Sequence, residues 1–377
     1  MTTAAATAQP SPEEAKPEKP PLQWRLLAIA VPVMALGFGG AALIGEAKNG
    51  LGAALIAMFT VIAAVASPRE KLWRGAAIIG ASTFAMLILA TATIQTPVLA
   101  GLSMFLVAFL GTIIGTAGQA LSVAGILVSM AYLIPAATGI ARSISVAKAA
   151  ELGLAGLVAA AVAIAAILAI TAIKGEPANG PAGEDDGGGA QEPQAPAPSV
   201  REQVRAAMTF RDATFRYALR RGLALGIAMG VYAATENHDV FWIMLTIFIV
   251  LQPDPASSWH KALSRSAGVM IGAVLVAGLG QFLPAEAVIG LGVLTLCAGL
   301  VWMQRSYTVF AAGISFLVVA IFGASQNQFV NWAALRIVDT LIGAAIALLV
   351  GYILFPDRWW DGKPEAAVSG PDSLSGS

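Results

Sequence analysis

The chain has 377 residues, 57% of them hydrophobic and only 12% charged, with Lys+Arg and Asp+Glu balanced at 22 each. Soluble domains carry about a quarter charged residues, so this composition excludes an ordinary water-soluble enzyme and a receptor with a large ectodomain. The balanced charge provides no global field for a polyanion, so a nucleic-acid binder is excluded as well.

The head (1–24) reads Pro, Ser, Glu and Lys before Trp24-Arg25 and is expected to be disordered and cytoplasmic. The apolar run after it is too long for a cleavable signal and is expected to remain as an anchor. A first membrane half (25–173) follows, with spans expected at 26–45, 51–66, 75–94, 98–117, 121–140 and 146–173. Residues 174–200 hold six Gly and five Pro together with Glu184-Asp185-Asp186, a composition that cannot bury a core. They open a cytoplasmic linker taken to run over 174–215. Its basic end, Arg201 to Phe215, fits equally a helix lying along the lipid surface and an inward extension of the next span. A second half (216–356) has spans expected at 217–235, 240–252, 265–283, 286–304, 307–324 and 331–355, and a disordered tail (357–377) closes the chain. The apolar blocks total roughly 290 residues, which accommodates about twelve crossings at roughly 20 residues each. Their runs are continuous and do not alternate with period two, which favours helices over a barrel. The expected fold class is all-α: a polytopic membrane protein of about twelve transmembrane helices.

With the head placed inside, eighteen Lys and Arg fall on the inner side and four on the outer. This positive-inside bias puts both termini and the linker in the cytoplasm. The eight tryptophans fall near expected span ends, as an aromatic belt requires. Cys297 has no intrachain partner, and with only His238 and His260 besides, no zinc-type cluster can be assembled. Neither a metal nor any other cofactor is implied.

Six spans per half return the chain to its starting side, so any repeat is of the parallel kind. In each half the second span ends at a proline followed by charges: Pro68-Arg69-Glu70-Lys71-Leu72-Trp73-Arg74, and Pro253 through Lys261 to Arg265. The last spans open on Lys148-Ala-Ala-Glu151 and Arg336-Ile-Val-Asp339, and the first spans begin after Arg25 and after Arg220-Arg221. Two parallel six-helix repeats are therefore expected. Gly222-xxx-Gly226-xxx-Gly230, Gly111-xxx-Gly115 and Gly268-xxx-Gly272 put small residues on one helix face and let backbones approach closely.

The second half carries an ordered set of features: Arg216-Tyr-Ala-Leu-Arg220-Arg221-Gly-Leu-Ala; His238-Asp239-Val-Phe-Trp242-Ile-Met-Leu-Thr246; Val250-Leu-Gln-Pro253; Arg265-Ser-Ala-Gly268-Val-Met-Ile-Gly272; Tyr307; and Arg336-Ile-Val-Asp339-Thr-Leu-Ile-Gly343 running to Pro356. Over roughly residues 205–356 this resembles the fusaric-acid-resistance (FUSC) family of integral membrane transporters, also called aromatic acid exporters. The first half fits only as a degenerate copy. Many family members carry a large soluble domain where this chain has only its Gly/Pro linker. The resemblance implies a multi-pass exporter of small organic anions, aromatic carboxylic acids among them, in the cytoplasmic (inner) membrane.

Arg336 and Asp339 stand on one helix face, and Asp339 lies about 12 Å inward at 1.5 Å per residue. Arg336 is expected to attract an anionic substrate while Asp339 couples export to proton entry; the alternative is a structural ion pair. The same two readings apply to Lys148 and Glu151. His238 and Asp239 form either a proton-accepting mouth or a solvated turn. Trp242 either stacks on an aromatic substrate or anchors at the interface, and Thr246 bonds either a carboxylate or its own helix. Arg265 meets an anion at the entrance or only marks topology, and Tyr307 reads as a belt residue. The expected partners are the lipid bilayer and a small organic anion; a periplasmic adaptor and a homo-oligomer are compatible with the family, although no docking surface is marked. No catalytic motif, phosphate loop or nucleophile elbow occurs. A proton-driven exporter leads, with a passive anion channel or facilitator and a non-transporting envelope scaffold as alternatives.

Overall fold

The computed structural model describes residues 24–67, 71–174, 199–326 and 328–354. The head, most of the linker, the tail, Pro356 and the charged triplet Pro68-Arg69-Glu70 lie outside the described residues, together with what was expected of them. Fourteen α-helices run through the rest, with one short 3-10 turn at Ala47–Asn49. They are α1 (Trp24–Leu43), α2 (Gly50–Ala66), α3 (Leu72–Thr93), α4 (Pro97–Gly115), α5 (Gln119–Ala137), α6 (Ile140–Ser143) and α7 (Val146–Lys174). Then come α8 (Val200–Ala207), α9 (Ala213–Thr235), α10 (His238–Val250), α11 (Pro255–Leu279), α12 (Ala285–Trp302), α13 (Tyr307–Gln326) and α14 (Phe329–Ile353).

Each expected span coincides with a helix, but the two are not equivalent as membrane elements. Among the described residues nine helices are long and apolar enough to cross a membrane. Two others, α1 over Leu27–Leu43 and α10, are shorter apolar helices, and α9 carries Arg216, Arg220 and Arg221. The helix expected at 265–283 starts ten residues earlier, because Asp254 caps it through the Ser257 amide at 2.8 Å and Pro255 occupies its first turn. The hydrogen bonds from Ser257 hold the Asp254 carboxyl below its ordinary pKa. The basic stretch forms a separate helix, α8, opened by a capping box between Ser199 and Glu202. Asp212 then caps α9 through the Thr214 amide at 2.7 Å.

Within the first half α2 packs on α1 and α7, α3 on α5 and α7, and α4 on α5. Within the second half α10 packs on α9 and α14, α11 on α13 and α14, and α12 on α13. Contact between the halves is unequal. The packing of α4 against α9 is extensive, whereas α1 touches α12 lightly.

The α4–α9 seam is made by glycine. A Cβ on Gly101 would come within 2.8 Å of the Gly226 carbonyl, and one on Gly226 within 2.9 Å of Phe105 Cβ. Only absent side chains allow backbones this close, which is how small-residue faces hold helices together where lipid supplies no hydrophobic drive. The largest buried cluster straddles the seam, bringing Met104 and Tyr132 of the first half to Leu225, Met229 and Phe241 of the second. At one end of the seam Arg142, on α6, reaches Glu236 at 3.0 Å and also donates to the Ala233 carbonyl. Tyr232 adds a 2.8 Å bond to the Ala137 carbonyl.

Gly226→Ala is expected to lower the thermal midpoint of the purified protein by the equivalent of about 1–3 kcal/mol, since the added methyl overpacks the seam. Gly278→Ala, on α11, meets nothing within 4 Å and should raise it by about 0.5–1 kcal/mol through helix propensity alone. Equal responses at the two positions would remove the glycine seam as the cause.

Candidate functional site

The expected polar residues of α10, α11 and α14 converge, and the sequence explains how. On α14 the spacing Asp339-x-x-x-Gly343 puts both residues on one face. A Cβ at Gly343 would lie 2.7 Å from Thr246 Cβ, so this glycine lets α14 press against α10. On α11 a Cβ at Gly268 would lie 2.7 Å from Ala311 Cβ, and that close approach to α13 brings Arg265 beside Tyr307. Trp242 and Thr246 stand one turn apart on α10, between these helices.

Arg336 is 3% exposed, with its guanidinium 3.8 Å above the Trp242 ring. Its Nε and Nη1 are buried and have no hydrogen-bond partner. Asp339, also 3% exposed, has an unpartnered Oδ2. The two form no ion pair, since the ion pairs among the described residues are Arg142–Glu236 and Lys148–Glu151. The structural ion pair entertained from the spacing is therefore absent here.

Arg265 is 4% exposed. It donates from Nε to Thr246 Oγ1 at 3.2 Å and from Nη1 to the Tyr307 hydroxyl at 3.3 Å, and its Nη2 is buried without a partner. Thr246 also donates to the Trp242 carbonyl at 2.9 Å, so it serves its own helix and the arginine together. Lys261 Nζ sits 3.8 Å from the centre of the Tyr307 ring. Lys261, Arg265 and Arg336 thus form a run of cations, in which Arg265 acts on both Lys261 and Arg336, and Arg336 and Asp339 act on each other. Unpartnered buried donors each cost about 1–3 kcal/mol. A bound carboxylate, which accepts in a bidentate manner, is the group that would satisfy them.

Several expectations need correcting in place. Trp242 is buried and is no interfacial anchor; Trp24, Trp73, Trp259 and Trp302 are exposed as a belt requires. Arg265 is no rim marker, and Tyr307 holds it and Lys261 and is no mere belt residue. Lys148 and Glu151 bond to each other at 2.6 Å with both side chains more than 40% exposed, so they are not a buried pair. His238 is exposed, on the first residue of α10, while Asp239 is half-buried and its charge reaches Asp339. Residues treated only as topology cations prove to be core. Arg216 and Arg220 are among the largest fully buried side chains, donating to the carbonyls of Arg211 at 2.6 Å and Gly351 at 3.2 Å. Their four-residue spacing, which stacks both on one face of α9, was the signal for it.

Thr246→Val and Tyr307→Phe each strip Arg265 of an acceptor. Each is expected to lower stability by about 1–3 kcal/mol, measured as a fall in the thermal midpoint. An unchanged midpoint in both would show that these hydroxyls do not hold the guanidinium.

Residues 225–350 match the family described as "Fusaric acid resistance protein-like". The inner membrane protein YccS of Escherichia coli K12 is 30% identical over 150 residues, a stretch amounting to 40% of this chain and 21% of that protein. A Neisseria gonorrhoeae protein, ORF2, is 27% identical over 158 residues, covering 41% of this chain and 38% of that one. The Escherichia coli protein YhfK is 23% identical over 163 residues, or 23% of its length. The chain therefore spans well under half the length of these relatives. No solved structure matches it. The matched stretch contains Arg265, Tyr307, Arg336 and Asp339, so the residues of the candidate site fall within the part of the chain that is similar to that family.

Proposed function

We propose that the protein is a proton-driven exporter of small organic anions, aromatic carboxylic acids among them, across the cytoplasmic membrane. The observation that carries this is the pair of buried guanidiniums, Arg265 and Arg336, whose free N–H groups meet no protein acceptor while one of them lies on the face of Trp242. A monocarboxylate bridges the two arginines, and its ring packs in the aromatic surroundings of Trp242, Phe322 and Trp332. Thr246 and Tyr307 fix Arg265, and Lys261 draws the anion in.

Asp339 supplies the coupling. When it is ionised, two guanidiniums and one carboxylate leave one positive charge, which a single monoanion neutralises, so the loaded site moves without net charge. The emptied site with Asp339 protonated carries positive charge inward. The membrane potential favours that step by about 2.3 kcal/mol per charge per 100 mV.

The architecture proposed with this function is two parallel six-helix repeats, 25–173 and 216–356, with twelve crossings and both termini cytoplasmic. It is supported by the matching packing order: in each half the second helix lies on the first and sixth, the third on the fifth and sixth, and the fourth on the fifth. The light α1–α12 contact corresponds to the close α4–α9 contact, each joining a fourth helix to the first helix of the other half. An inner-membrane location agrees with the name of the Escherichia coli relative YccS.

Cells preloaded with labelled 4-hydroxybenzoate should lose it faster when they contain the protein, and an uncoupler should abolish the difference. Arg336→Gln and Arg265→Gln should each reduce that efflux at least tenfold. Asp339→Asn should leave downhill movement but remove its dependence on the proton gradient. Retention identical to that of cells lacking the protein would sink the exporter reading, and an Asp339→Asn protein that is still uncoupler-sensitive would remove Asp339 from the coupling.

A further inference from the structure

A second polar compartment lies on the other side of α10. Phe248 and Thr246 are two residues apart and so point to roughly opposite helix faces. Thr246 faces Arg265. Phe248 instead lies 4.4 Å beneath the guanidinium of Arg221, on α9. Beyond Arg221 a cavity of about 450 Å³ opens between α4, α5, α9 and the turn after α10, a size within the ordinary range for small-molecule sites.

Arg221 is the cation of this compartment. Its Nη1 donates to the Tyr217 hydroxyl at 3.1 Å, and its Nε is buried without a partner. Among the described residues it forms no ion pair, and no acid lines the cavity. A partly buried guanidinium with no counter-charge is costly in an apolar surround and favours an anion beside it. Four groups of the remaining polar wall have the opposite character, beside the Ser122 and Thr214 hydroxyls, which can donate or accept. Thr112, Thr116 and Ser129 spend their hydroxyl protons on the carbonyls of Ala108, Ile113 and Gly125, at 2.7–2.8 Å. Gln252 donates one of its two amide N–H groups to the Ile249 carbonyl at 2.9 Å and has its Oε1 as an acceptor. Each of these groups is left facing the cavity as an acceptor. The complement is a ligand with one negative charge for Arg221 and several hydroxyl donors for the wall.

We infer that this cavity is a binding site for a small hydroxylated monocarboxylate, separate from the site at Arg265 and Arg336. It stands independently of the transport reading, since it rests on Arg221 and the acceptor wall alone. A dianion such as phosphate would need more cations than one, and a plain fatty acid would leave the acceptors without donors.

The test places a reporter in the wall of the full-length purified protein, at an apolar position outside the acceptor set: Ile126→Cys with Cys297→Ser, labelled by a maleimide. Millimolar gluconate should slow labelling at least fivefold, with hexanoate and glucose each giving less than twofold. Arg221→Gln should abolish the slowing by gluconate, and Ser129→Ala should weaken it, a milder change that keeps the test decisive if the arginine variant does not fold. Arg336→Gln should leave the slowing intact. No slowing by gluconate, or equal slowing in Arg221→Gln, would overturn the site. Equal slowing by hexanoate would overturn the hydroxyl-donor requirement, and loss of slowing in Arg336→Gln would overturn its separateness.

Discussion

Backbone contact between Gly101 and Gly226 sets the distance between the two halves, and the rest of the structure depends on that distance. Inside a bilayer apolar side chains gain little by leaving lipid for one another, so close packing and shape have to hold helices together. With two glycines opposed, α4 and α9 approach until the largest buried cluster can form across them, from Met104 and Tyr132 on one side to Leu225 and Met229 on the other. The seam also fixes where α9 stands, and α9 supports α10. Trp242 and Thr246, the α10 members of the candidate site, are therefore positioned by a contact two helices away.

Charge is distributed on a different logic. Arg216 and Arg220 are buried and donate to backbone carbonyls, Arg216 to that of Arg211 in the turn before α9 and Arg220 to that of Gly351 in the last turn of α14. Arg265, Arg336 and Arg221 are held as firmly, by hydroxyls and aromatic faces, yet each keeps a buried N–H with no acceptor. Aromatic faces hold a guanidinium without neutralising it. The first group tethers helices through backbone carbonyls; the second is held by side chains, the hydroxyls of Tyr217, Thr246 and Tyr307 and the rings of Phe248 and Trp242.

The helices were legible in the sequence because continuous apolar runs bounded by Pro, Gly and capping residues determine them locally. The early start of α11 was missed because its first turns are polar, with Ser257, Ser258, His260 and Lys261, and hydropathy does not see a cap at Asp254. Site residues were legible as a set but not as an arrangement. Lys148-Ala-Ala-Glu151 and Arg336-Ile-Val-Asp339 share a spacing; one is a closed exposed pair and the other two buried groups that do not pair. What separates them is the neighbour: the Arg336 guanidinium stacks on the Trp242 ring, whereas Lys148 has only Glu151 to bond. Arg265 looked like a marker of topology for the same reason, since its acceptors Thr246 and Tyr307 stand 19 and 42 residues away in the chain.

Glu236 shows a compromise between two scales of structure. It ends α9 in the left-handed region, at φ 55°, where a glycine would rest without strain and a side chain costs roughly 1–2 kcal/mol. Yet only a carboxylate at that point can meet Arg142 across the seam. A glycine would relax the helix terminus and remove the Arg142–Glu236 ion pair between the halves, so local comfort and long-range cohesion favour opposite residues at one position. The chain carries the residue that serves cohesion, and the strained terminus of α9 is the visible trace of that conflict.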